Sequence, residues 1–273
     1  MSIQRDIFVI MTTHNPEDIF KESFNSILRQ SRVGTISIVD NSDDGGSFVK
    51  ECINKYASKE IDILFTHVQP TSLAYALNLN REIAIRSSLP YVLIMEDDAV
   101  LTKDLDDVIL KYPMGEFDIL VLNRLEKAAP NEMFRVKQHA KGKVYGSFIC
   151  LFNTKILYKI KFREEFVMDQ VDIDFQLRAI KMGGKVLLTK EQCVFSLPVG
   201  RVTSRGINTI SPYRYYLLVR NSTVLYKEGQ LSFFHCVKYD LGYFLKISYT
   251  FSVKSALVSL IRGVKDAMNN KLF

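Results

Sequence analysis

Two acid-rich stretches hold most of the chemistry open to this sequence. In the first, Glu96, Asp97 and Asp98 stand side by side just behind the apolar run Tyr91-Val92-Leu93-Ile94. Adjoining carboxylates repel one another unless a cation or a hydrogen-bonding ligand sits among them. Helix capping by Asp97 or Asp98 would need one short acid, not three in a row. The triplet therefore reads as a hard-cation site for Mg²⁺ or Mn²⁺ that also holds a phosphorylated ligand. The second stretch is Asp169-Gln170-Val171-Asp172-Ile173-Asp174, with Arg178 following. Asp172 and Asp174 suit the first turn of a helix, where the macrodipole favours carboxylates, and capping is the plainer account of them. Arg178 lies one turn beyond Asp174 and is spaced to pair with it. That leaves Asp172 free to act as a general base.

These residues need a frame. Residues 7–11, 35–39, 61–65 and 91–94 are apolar runs of strand length, and between them lie helical patterns at 16–28, 47–57 and 72–86. Strands alternating with helices imply right-handed crossovers and a mainly parallel sheet with helices on both faces. In such a sheet ligands bind beyond the carboxyl ends of the strands. Thr13-His14-Asn15, Asp40-Asn41-Ser42-Asp43-Asp44 and the acid triplet all fall at such ends and would line one crevice. Asn15 also has the composition of a helix cap, with Pro16 at the first helical position. Further on, residues 119–122, 144–152, 186–188 and 193–195 read as strands and 171–182 as a helix closed by Gly183-Gly184. From Pro212 the pattern is helical, aromatic and basic. The expected organisation is a domain over residues 1–226, with a nucleotide-binding half (1–123) and an acceptor half (124–226), and a C-terminal segment over 227–273.

Composition narrows the field. The chain has 273 residues, 47% hydrophobic and 24% charged, which suits a globular protein with a sizeable core. A net charge of +6 favours an anionic partner. No zinc-finger spacing or aromatic RNA-binding run is present, so nucleic acid is the weakest candidate. The four cysteines form no Cys-x-x-Cys pair and read as reduced core thiols of a cytoplasmic protein. No signal peptide and no uncharged span of bilayer length stands out. The phosphate-binding loops of kinases and dinucleotide enzymes are missing too. Bound phosphates would have to be neutralised by a metal and basic side chains.

The ordered set Thr13-His14-Asn15, Val39-Asp40-Asn41-Ser42, Glu96-Asp97-Asp98 and Asp172-x-Asp174-x-x-x-Arg178 resembles the inverting family 2 glycosyltransferases of GT-A fold. The nearest pattern is their rhamnosyltransferase-like and galactofuranosyltransferase-like branch, which builds bacterial surface polysaccharide such as O-antigen or capsule. Tyr213-Arg214-Tyr215-Tyr216, Arg220-Asn221 and residues 261–266 are similar to its C-terminal stretches. The resemblance implies that Thr13, Asn15 and Asp40 hold the base and ribose of a nucleotide-sugar donor, with Asn78 near them. It implies that Glu96 faces the ribose, that Asp97 belongs to the same donor-binding signature, and that Asp98 holds the metal. Asp172 matches the base that deprotonates a hydroxyl of a glycan or lipid-linked acceptor. Two positions depart from the pattern: Glu96 replaces a shorter Asp, and Ser196-Leu197-Pro198-Val199-Gly200 stands where many relatives place a metal-binding His before Gly. The metal would then rest on Asp98, diphosphate and water. Pocket shape around residues 127–143 and at Ser204-Arg205 would set the sugar and acceptor.

Two other readings stay open on the residues alone. One is a sugar-nucleotidyltransferase, which shares the need for acids and a metal but wants a Gly-rich basic loop after the first strand. The other is a non-catalytic binding protein of the same fold. The basic, aromatic segment after Lys227 reads either as a helix covering the sheet, as an oligomer interface, or as a surface that meets the inner face of the cell membrane.

Overall fold

A computed structural model describes residues 5–57, 60–69, 71–113, 115–127, 133–134, 138–139, 144–146, 148–197, 201–202 and 208–271. The expected specificity determinants at residues 127–143 lie mostly outside this set, and Pro198-Val199-Gly200 and Ser204-Arg205 lie wholly outside it.

The first half runs β1 (Ile7–Thr13), α1 (Ile19–Leu28), β2 (Val33–Asp40), α2 (Ser47–Tyr56), β3 (Asp62–His67), α3 (Leu73–Arg86) and β4 (Tyr91–Glu96). Strands β3, β2, β1 and β4 lie side by side in that order, all parallel. Each helix is the crossover between two of them. Side chains alternate along β1. Ile7, Val9 and Met11 pack on Phe20, Phe24 and Ile27 of α1, while Phe8 and Ile10 face Ala74 and Leu77 of α3. Both faces are covered, which is why the strands read as unbroken apolar runs.

The order then changes. β5 (Ala99–Leu101) and α4 (Leu105–Lys111) lead to β6 (Ile119–Lys127), β7 (Met133–Phe134), β8 (Gln138–His139), β9 (Val144–Tyr145) and β10 (Cys150–Asn153). The chain continues through α5 (Thr154–Lys159), α6 (Val171–Lys181) and β11 (Val186–Ser196), and then β12 (Arg201–Val202) and β13 (Asn208–Thr209). β10 slots between β4 and β6 and runs antiparallel to both. β11 lies parallel to β6 and antiparallel to β5, so among the described residues the main sheet has nine strands and is mixed at this end. Two expectations need correcting here. Residues 144–152 are not one strand: β9 pairs with β8 in a separate ribbon, and only β10 joins the sheet. Residues 186–188 and 193–195 belong to one eleven-residue strand, whose register against β6 shifts between Leu188 and Val194. The polar insertion Thr189-Lys190-Glu191 bulges out of that strand without ending it.

The C-terminal part is helical: α7 (Pro212–Lys227), α8 (Phe233–Thr250) and α9 (Val253–Met268). Ser211, Ser232 and Ser252 cap their N-termini through side-chain hydrogen bonds. The three helices pack on one another around Tyr215, Leu218, Val219, Ile247 and Ala256. Gly263 lets α9 approach α7 closely, since a Cβ there would meet Tyr216 O and Val219 Cβ at 2.9 Å.

Candidate active site

The parallel register brings the strand ends level. Thr13 pairs with Asp40 between β1 and β2, and Thr12 pairs with Glu96 between β1 and β4. Beyond them opens a cleft of about 840 Å³, within the usual range for small-ligand sites. Thr13, Asn15, Glu96, Asp97, Asp98 and Asp172 all line it.

The β1 and β2 ends are fastened to each other. The fully buried Asp40 carboxylate accepts from Thr13 Oγ1 at 2.7 Å, Ser42 Oγ at 2.6 Å and Ser42 N at 3.2 Å, and it meets His67 Nδ1 at 2.9 Å. Asp40 thus lies beneath the rim and is not part of the cleft lining. Gly46 takes a left-handed conformation over it, and a Cβ there would stand 2.8 Å from the carboxylate. Asn15 is not a helix cap. Its φ is +49°, and the helix begins only at Ile19. Instead its amide nitrogen donates to Asp43 Oδ2 and its amide oxygen accepts from Asp43 N, while its backbone N–H donates to Ser42 Oγ. Asn78 is also turned elsewhere. Its amide donates to Phe162 O and Glu164 Oε1 and accepts from Phe162 N, so it clamps the segment after α5 to α3 and does not line the cleft.

The β4 end is different. Asp97 and Asp98 form the turn from β4 into β5, which is held to β11 by the Ser196–Ala99 pairing. Glu96 accepts from Arg124 Nη1 of β6 at 3.3 Å. Burial, then the charges of Asp98 and Glu96, push Asp97 up to about 7. Burial and Glu96 push Asp98 up to about 6, with Arg124 and Arg214 opposing the rise. The cleft lining as described holds six carboxylates and two guanidinium groups. One of those, Arg214, is already held in a fork by Asp169, with Nε at 2.9 Å from Oδ2 and Nη2 at 2.9 Å from Oδ1. Among the described residues the site is short of positive charge.

Asp172 reaches the cleft from α6. Asp169 and Gln170, just before the helix, both have left-handed φ values of +57° and +62°. Such conformations cost roughly 1–3 kcal/mol each and persist only where the surroundings enforce them. The enforcement comes from α7: Asn221 Nδ2 donates to Met168 O and Asp169 O, and the buried Arg220 donates to Glu165 O. Three of the five non-glycine residues with positive φ among the described residues, Asn15, Asp169 and Gln170, line the cleft. Two residues apart on α6, two aspartates diverge. Asp174 is fully buried against Arg178, at 2.8 and 2.6 Å, and Arg163. Asp172 faces the cleft, and burial pushes it up to about 7 despite the opposing Arg124.

Donor chemistry permits a divalent cation. Mg²⁺ and Mn²⁺ favour hard oxygen ligands, and the triplet supplies adjoining carboxylates on the cleft wall. Among the described residues no three His, Cys, Asp or Glu side chains converge into a protein-only metal site. This suits a cation held by one or two carboxylates and completed by ligand phosphates.

Four cleft residues escaped the sequence reading in any such role: Arg124, Arg214, Tyr239 and Tyr243. Arg124 carries a weak signal, since it follows closely on the apolar run 119–122 within one strand. The two tyrosines carry none, because only tertiary packing brings α8 to the cleft.

No family model matches the chain. An uncharacterized glycosyltransferase of Methanocaldococcus jannaschii is 27% identical over 192 residues, covering 64% of this chain and 64% of the relative. This chain therefore spans less than two thirds of that relative's length. In solved structures, S. aureus TarS is similar at TM-score 0.56 and 18% identity, over 90% of this chain and 44% of TarS. Its 1–349 fragment gives 0.58 and 16%, over 98% and 82%. A mannosyltransferase from Pyrobaculum calidifontis, solved with GDP-Man and Mn²⁺, gives 0.59 and 12%, over 99% and 79%. With its parallel half, its antiparallel insertion and its helical C-terminal part, the chain has the GT-A-like fold of glycosyltransferases.

Proposed function

We propose that this protein is an inverting glycosyltransferase that moves a sugar from a nucleotide-diphosphate donor to a hydroxyl of a glycan or lipid-linked acceptor of surface polysaccharide. The observation that carries this reading is that Asp172 and the acid triplet enter one cleft from different elements, each with carboxylates raised towards neutral pH. The likeness to a glycosyltransferase over 192 residues supports it. So does the GDP-Man and Mn²⁺ bound by the Pyrobaculum mannosyltransferase.

In this account the donor lies over the ends of β1, β2 and β4. Thr13 and Asn15 form the rim against its base and ribose, and Asp40 fixes that rim from below. Arg124 holds the Glu96 carboxylate in place. Asp98, with Asp97 beside it, would hold a divalent cation, whose charge when bound stabilises the departing nucleoside diphosphate. Asp172 takes the proton from the acceptor hydroxyl as that oxygen bonds to the anomeric carbon. The bond from that carbon to the diphosphate oxygen breaks, and the electron pair leaves with the diphosphate. One displacement inverts the anomeric configuration. A base with a pKa near the working pH is well matched to this proton transfer.

A donor panel tests the proposal. Purified protein is offered dTDP-, UDP- and GDP-sugars with Mg²⁺ or Mn²⁺, and nucleoside diphosphate release is measured. Release from one donor that rises when a saccharide acceptor is added is the expected result. Binding without turnover across the panel would leave a non-catalytic protein of this fold.

A further inference from the structure

Helix α8 has two working faces. On the inner side Tyr239 and Tyr243, one turn apart, line the cleft and meet edge to face at 5.4 Å between ring centres. On the outer side Phe234, Val237, Leu241 and Leu245 follow helical spacing and stand in solvent, with Phe234 83% and Leu245 60% exposed. The usual arrangement is reversed in α9. Its small residues Ala256, Ser259, Gly263 and Ala267 are buried, and its large apolar residues Leu257, Ile261, Val264 and Met268 are exposed. Exposed apolar stripes on two adjacent helices exceed the scatter expected of an ordinary surface.

The charges beside the stripes select what covers them. Lys238, Lys246, Lys254, Arg262 and Lys265 are exposed, and in α9 Lys254 and Lys265 continue the arc begun by Leu257 and Ile261. The acids of this segment are turned aside. Asp266 accepts from Tyr216 Oη and meets Arg262, Glu228 is bound by Arg163, and Asp240 is largely buried. A protein interface core is depleted in lysine, whereas lysines flanking an apolar stripe suit a layer of acidic headgroups above hydrocarbon. Among the described residues no helix is long and apolar enough to cross a membrane, so the fit is to a surface.

We propose that the outer faces of α8 and α9 dock the protein on an anionic lipid bilayer, so that the helix walling the cleft with Tyr239 and Tyr243 lies at the membrane. The docking stands by itself. Its consequence, that the cleft meets an acceptor anchored in the bilayer, rests on the glycosyltransferase reading above.

The test is sedimentation of the full chain with vesicles of phosphatidylglycerol and phosphatidylcholine, against phosphatidylcholine alone, at low and high salt. The expected result is binding to the anionic vesicles only, weakened by at least about 10-fold at high salt. Three double variants, Leu241→Glu/Leu245→Glu, Ile261→Glu/Val264→Glu and Lys254→Glu/Lys265→Glu, should each lose binding to a similar extent with an unchanged melting temperature. Wild-type protein that ignores anionic vesicles at low salt overturns the proposal. So do folded variants that bind as well as wild type, or a wild-type dimer in sedimentation velocity that these variants dissociate, which would make a second copy the occupant. Donor turnover separates the two proposals. Vesicle binding without turnover on any donor removes the glycosyltransferase reading and leaves docking intact, and turnover without vesicle binding does the reverse.

Discussion

The ends of β1 and β2 and the end of β4 lie side by side and are equally rich in polar residues, yet they are built on opposite terms. At β1 and β2 the polar groups satisfy one another: Asp40 with Thr13, Ser42 and His67, and Asn15 with Ser42 and Asp43. At β4 three carboxylates stand together, Glu96 accepts from Arg124, and the other two are pushed well above the ordinary carboxylate range. The first region is a finished structure that presents a rim. Among the described residues the second gathers more carboxylates than guanidinium groups, and a ligand carrying a cation would compensate that excess. A sequence rich in acids at a strand end does not distinguish these cases; their hydrogen-bond partners do.

Substitutions that break the contrast should differ in kind. The largest effect on turnover is expected from Asp172→Asn, which keeps size and loses basicity: kcat should fall by roughly 10² to 10⁴-fold with donor affinity nearly unchanged. Because the carboxylate form is the base and burial holds its pKa at about 7, wild-type kcat/KM should climb as pH rises through about 7, and the variant should lose that limb. Asp98→Asn comes next, with a loss of roughly 10² to 10³-fold and a melting temperature that does not fall, since it relieves like-charge crowding. Cation-dependent donor binding, followed by calorimetry, should weaken with it.

Asp40→Ala should do the converse. It strands buried donors on Thr13 and Ser42, a loss of about 3 kcal/mol, which would lower the melting temperature by on the order of 10 °C. If Asp40→Ala instead kept its stability and lost only donor affinity, the rim would be a binding surface and the contrast would fail.

The smallest effect should come from Asp240→Asn, outside the cleft lining. Burial pushes Asp240 up to about 7, and its Oδ1 has no partner among the described residues. The folded protein thus holds a proton that the unfolded chain gives up near pH 4. Stability from this group is full below that pH and is lost as pH rises through about 7. Asp240→Asn should raise the melting temperature at pH 8 by about 3 °C and leave it unchanged at pH 4.

The sequence was most readable where backbone period and burial coincide. The parallel half, with both sheet faces covered, announces itself as apolar runs alternating with amphipathic helices, and the ordered acids mark the edge where the cleft opens. Arg178 pairs with Asp174 as their spacing requires. Readability fell where tertiary contacts decide. β11 continues through a polar bulge that looks like a break. Asn78 sits on a helix near the strand ends, but its amide turns to Phe162. Asn15 has a cap's composition and a loop's conformation. Tyr239 and Tyr243 occupy a segment whose exposed aromatics are more numerous, and nothing local separates the tyrosines that reach the cleft from their neighbours.

The central claim is that Asp172 activates an acceptor hydroxyl for one direct displacement on a donor bound over the β4 end. Proton NMR of the first-formed product, recorded during turnover with an identified donor and acceptor, tests it most directly. The account expects an anomeric configuration opposite to that of the donor sugar; a product that retains the donor's configuration would contradict it.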